Sequence, residues 1–116
     1  MPTIRVATTN MAANSTNFPL SGNQFEYLPY NAQVLFAVLA NAATVDVSVF
    51  SGADVLQQGG PPIVKALTAG AGTVFPDDFL LDDVAAQGER ISVVLRETGN
   101  VATTDAETTV RITPIF

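Results

Sequence analysis

The chain predicts an all-β fold: a single-domain antiparallel β-sandwich, jelly-roll or immunoglobulin-like, with a polar N-terminal arm. Three observations carry this expectation. Residues 44–50 (TVDVSVF) and 91–96 (ISVVLR) alternate apolar and polar side chains with period two, the mark of a half-buried strand. Turn residues break the apolar runs about every 8–12 positions, the spacing of sandwiches and small barrels. A length of 116 residues makes one domain around one core the default.

In chain order, Ile4 and Val6 alternate with Thr3 and Arg5 in a short first strand. Residues 10–24 are rich in Asn, Ser, Thr, Ala, Pro and Gly, with Phe18 and Leu20 the large apolar exceptions. That composition reads as an arm or long loop. The chain is therefore divided into a strand and arm, 1–24, and a sandwich domain, 25–116. On this reading, deleting the first 24 residues leaves the domain folded.

The compact part opens with Phe25 and Tyr27 on one face of a short strand that Pro29 confines to an edge or an end. VLFAVLA (34–40) is continuously apolar, as expected of a strand buried on both faces. With 44–50 it resembles a hairpin, although no Asn-Gly type of turn joins the two. Ser51-Gly52-Ala53-Asp54 is a turn, Val55-Leu56 a short strand, and QQGGPP (57–62) a break. Residues 63–67 form a further strand candidate, and TAGAG (68–72) is a flexible connection. Residues 73–75 and 79–81 flank Pro76-Asp77-Asp78, and DDVAAQ (82–87) suits one helical turn capped by an Asp. Gly88 marks the turn into 91–96. Residues 101–107 read as a polar loop and 108–115 as the last strand. The inward set is Val34, Phe36 and Val38; Val45, Val47 and Val49; Ile91, Val93 and Leu95; and Val110 and Ile112.

Composition narrows the function. Charged residues are 14% of the chain, against about 25% in typical soluble domains, which fits either a surface partly given to oligomer or assembly contacts or a surface rich in Ala, Thr and Asn. The eleven acids outnumber five scattered bases, for a net charge of −6. No basic cluster is present to neutralise phosphates or an anionic membrane, so neither nucleic acid nor membrane is an expected partner. There is no cysteine for a disulfide or thiolate metal site, and no histidine, the commonest general base. No signal peptide is read at the N-terminus, and no apolar run approaches the roughly 20 residues of a spanning helix.

Candidate chemistry is sparse. Asp77, Asp78, Asp82 and Asp83 could offer oxygens to calcium, but the EF-hand spacing is missing and turn chemistry accounts for them. Glu26, Glu89, Glu97 and Glu107 lie in or beside strands, yet nothing marks two as a catalytic pair. Arg90 and Arg96 are expected to pair with Glu89, Glu97 or Asp83. No nucleophile elbow, phosphate-binding loop or dinucleotide fingerprint occurs. Neither catalytic residues nor a cofactor or metal is expected, and the chain is not read as an enzyme. Phe25, Tyr27 and Tyr30 are the residues on which a carbohydrate-binding module would rely. Phe18 and Leu20 in the arm, and Ile115 and Phe116 at the C-terminus, are the candidate protein contacts.

The run FEYLPYNAQVLFAVLA, then VDVSVFSGADVL, then VFPDDFLLDDVAAQGERISVVLRETG resembles small β-sandwich decoration, or cement, proteins of tailed-bacteriophage capsids. The likeness covers about residues 25–116, most tellingly Phe75-Pro76-Asp77-Asp78-Phe79 followed by Gly88-Glu89-Arg90 and a Val/Leu/Arg strand. It implies a virion protein made in the host cytoplasm and bound to the capsid exterior. The implied partner is the major capsid protein, and the implied state a homo-oligomer, trimer or dimer. Such a protein stabilises the shell without chemistry. The class has no invariant site, so no residue role is carried over.

Overall fold

The computed structural model describes residues 3–12, 14–41, 44–64, 78–98 and 104–115. Among these, nine strands form two sheets. They are β1 (Thr3–Met11), β2 (Thr16–Asn17), β3 (Ala32–Ala40), β4 (Val45–Ser51), β5 (Asp54–Gly60), β6 (Ile63–Val64), β7 (Leu81–Ala85), β8 (Ile91–Glu97) and β9 (Thr104–Pro114). One sheet runs β1-β9-β3, with β7 and β6 sharing the far edge of β3; the other runs β2-β8-β4-β5. All pairings are antiparallel except β3 with β6. This is the expected sandwich, and every residue of the inward set lies in its core.

The strand β3 occupies the middle of its sheet because both of its faces are apolar. Val34, Phe36, Val38 and Ala40 enter the core, while Ala37 and Leu39, on the opposite face, are buried as well. The expected β3–β4 hairpin does not form. The two strands lie in different sheets, with β9 beside β3 and β8 beside β4. Crossing between layers sets the valines of β4 against those of β3 across the core, which a hairpin within one sheet would not do.

Two other elements differ from expectation. The predicted helical turn at 82–87 is instead part of β7, whose Leu81 and Ala85 point inward while Asp82 and Val84 are exposed. The acids disguise a period-two strand. The predicted polar loop contains the start of β9 at Thr104, since Ala106 and Thr108 occupy inward positions opposite Ala40 and Val38. Small and β-branched residues suit that crowded site. The QQGGPP break begins only after Gly60, because β5 continues through Gln57 and Gln58. Within the predicted 25–30 strand, the one bridge is Tyr27 to Arg90.

The largest correction concerns the arm. β1 pairs with β9 from Thr3↔Arg111 to Thr8↔Ala106, and Ile4, Met11 and Leu20 belong to the core. Residues 15–28 then run back along β8. The Ser15 carbonyl accepts from the Glu97 amide at 3.0 Å and the Glu26 carbonyl from the Ile91 amide at 2.8 Å. Between these anchors the chain bulges out and drops Leu20 into the gap between the sheets. A composition-based division at residue 24 thus cuts through one packed unit, and removing residues 1–24 would strip an edge strand from each sheet and three core side chains.

Leu20→Ala is expected to destabilise the protein by about 2–5 kcal/mol in urea unfolding, as a buried leucine does when truncated. Phe18→Ala, two residues away and exposed, should stay within about 0.5 kcal/mol of the parent.

Candidate functional site

The two flanks of the sandwich are unequal. Along the β1/β2 side, Met11, Leu20 and Leu28 are each at most 2% exposed and close the gap between the sheets. On the opposite side, where β5 borders one sheet and β6 and β7 the other, the gap stays open as a cleft. Phe36 and Val38 form its floor with Val47; Pro61, Ile63, Leu80 and Leu81 form its walls, joined by Gln57 and Asp78. The Gln57 amide donates to the Val47 carbonyl at 3.3 Å and to the Pro61 carbonyl at 3.2 Å, holding the end of β5 against β4. The cleft volume is about 30 Å³, enough for a water or two and too small for a substrate.

Large apolar side chains stand exposed on or next to the strands that border this flank: Leu80 (70%), Val84 (63%), Val55 (55%) and Val64 (53%). Sequence reading missed all four as candidates. Leu80 and Val84 sit among aspartates, and their exposure follows from the parity of β7, which the helical reading concealed.

The same flank carries three carboxylates from separate elements: Asp54 opening β5, Asp83 on β7 and Glu89 in the β7–β8 turn. The Asp54 carboxyl is held above the usual aspartate range, first by the hydrogen bond its protonated form makes with Asp83, then by repulsion from Asp83, by burial and by repulsion from Glu89. Glu89 accepts from the Ala86 amide at 3.2 Å. Its carboxylate lies over Gly52, where an added Cβ would come within 2.8 Å of it. Gly52 also has φ +58°, so this hairpin needs glycine for its backbone, whereas the Glu89 carboxylate, at the end of a flexible side chain, can move aside. Among the described residues no three acids converge as a metal cage. Asp77 of the acidic turn lies outside the described residues.

The four candidate contacts separate. Phe18 is 55% exposed and Ile115 38%. Leu20 is buried, which removes it from any surface. Phe116 lies outside the described residues. The aromatic trio also disperses, because Phe25 and Tyr30 pack against the core and Tyr27 alone is exposed. The arginine expectations change too. Arg90 pairs with Glu26 at 2.7 Å, and Glu97 is fully buried on the inner face of β8. Arg5 pairs with Glu107, a buried carboxylate on the outer face of β9.

The chain matches no family model, no curated protein and no solved structure. The site has to be read from its own chemistry.

The Asp54–Asp83 contact yields a pH prediction. A carboxyl whose folded pKa is raised contributes stability below the ordinary value near 3.8 and loses it as pH climbs through the raised value. Asp54→Asn keeps a donor for Asp83 but removes the charge. It should raise the thermal midpoint at pH 7 and leave it unchanged at pH 3, as measured by calorimetry at both pH values.

Proposed function

We propose that this chain is a structural virion protein that binds the outside of an icosahedral phage capsid, through the major capsid protein, and stabilises the shell. The observation that carries the reading is the exposure of four large apolar side chains, Leu80, Val84, Val55 and Val64, on elements that border one flank. Large apolar side chains left facing water on bordering elements are the kind of surface that a protein partner covers. The resemblance of residues 25–116 to capsid decoration proteins supplies the kind of partner. The low charge content agrees with a surface partly given to contacts.

The mechanism is mass action. A protein that binds the mature shell more tightly than its precursor stabilises the mature shell, and weak contacts repeated over a lattice add as avidity. No bond is made or broken. A carbohydrate-binding role finds less support, because an aromatic platform needs several exposed rings and Tyr27 stands alone in its trio. A hydrolase finds least, given the size of the cleft.

Purified chain is expected to rebind saturably to expanded heads of the encoding phage from which it has been removed, and to raise the temperature at which they rupture. The double substitution Leu80→Asp with Val84→Asp alters two exposed positions and should weaken rebinding at least tenfold while leaving the fold intact. Unchanged binding by that variant would move the contact off this flank. Failure of the parent chain to bind heads would overturn the reading.

A further inference from the structure

Among the described residues four sheet edges face outward, and three are blunted. β2 is two residues long. β5 slips register against β4 twice, turns at Gly59 with φ +62° and runs into Pro61 and Pro62. The far edge of β3 is divided between β7, which carries Asp82 and Asp83, and the two-residue β6. These are the devices by which sheets avoid pairing with strangers. β1 is the least protected, since in its first part the single charge of Arg5 is the one such device. It is nine residues long, contains no Gly, Pro or acid, and holds register with β9 without a slip from Thr3 to Thr8.

We propose that the free edge of β1 pairs antiparallel with the same edge of a second copy of this chain, about a two-fold axis at Val6. Charge selects the partner. All eleven acids lie at position 26 or later, and Arg5 is the one charged side chain among the first 25 residues. Arg5 is already engaged by Glu107 of its own protomer. Two copies that repel elsewhere at −6 each therefore meet along a strip with no net like charge. Antiparallel edges are also self-complementary, the requirement of a two-fold contact.

Charge excludes one register, and the apolar side chains favour another. Centring on Arg5 would set Arg5 opposite Arg5 of the other copy, which is unfavourable. Centring on Val6 sets Arg5 opposite Ala7 and Ile4 opposite Thr8. It places the two half-buried Val6 side chains together, extending the inner apolar row across the junction. The five strands of each copy then join into one continuous sheet. This specifies the homo-oligomer in the shell reading but does not require shell binding, and the test needs no capsid.

Sedimentation of the full chain over rising concentration is expected to show twice the 12.1 kDa of one chain. In parallel, amide exchange should show new protection on alternate residues within 3–8 as the dimer forms. Ala7 is exposed, so Ala7→Lys leaves the fold intact. The substitution sets an ammonium opposite Arg5 of the other copy and should raise the dimer dissociation constant about tenfold, with two such pairs per interface. A chain that stays monomeric, a dimer without protection at 3–8, or an Ala7→Lys dimer as tight as the parent would each overturn the proposal.

Discussion

The β3–β9 ladder positions the rest of the molecule. It runs without a slip from Ala32↔Pro114 to Ala40↔Ala106, and each of its strands carries further neighbours: β1 on β9, β6 and β7 on β3. The ladder also determines what can face the other sheet. Opposite the valines of β4 and β8 it presents Val34, Phe36, Val110 and Ile112 at one end. Toward the other it presents Ala40, Ala106, Thr104 and Thr108. The core thus tapers from large apolar groups to small and polar ones. Glu97 is buried on β8, paired in register with Val45, where the chain crosses between sheets at the small end. The hydroxyls of Thr104 and Thr108 are buried without a hydrogen-bond partner among the described residues. Buried polar groups of this kind oppose folding, so the large apolar end supplies most of the net stability.

Much of this architecture was legible in the sequence, and the reason is burial. Strands β4 and β8 have one face in the core and one outside, so their alternation is plain and their inward residues could be named in advance. β3 has no exposed face along its second half, and its unbroken apolar run says so. The readings that failed share a cause: local composition was allowed to stand for tertiary position. Residues 10–24 look like a polar arm because two side chains, Met11 and Leu20, carry the core packing that ties them down. β7 looks like a capped helical turn because its outward residues include an acid and its inward ones are few. The start of β9 looks like a loop because the core opposite it has room only for Ala and Thr.

The candidate surfaces were less legible than the fold. Apolar side chains that a sandwich must bury and those it leaves exposed are the same residue types, and only strand parity separates them. Phe18 and Leu20, two residues apart, have opposite fates because the chain bulges between its anchors on β8. Leu80 and Val84 are exposed because β7 turns Leu81 and Ala85 inward. The Asp54–Asp83 contact joins residues 29 apart in sequence across two sheets, and no motif announces it.

Strand order places the two proposed contacts at opposite ends of one sheet, β1 at one edge and β6 with β7 at the other. The β1 side is the flank plugged by Leu20 and Leu28, and the β6/β7 side is the open one. Pairing through β1 therefore leaves Leu80, Val84 and Val64, at the far edge of the sheet, uncovered on both copies. A dimer built this way is bivalent, with two like surfaces held at a fixed separation by a continuous sheet. Rigid bivalency favours partners that themselves repeat at a fixed spacing, because the second contact then forms at high effective concentration with no linker to order. A shell of identical subunits is such a partner, and a single soluble ligand is not. The blunted β5 and β6/β7 edges fit the same division of labour, since a flank that offers side chains to a lattice must not offer its backbone to other strands.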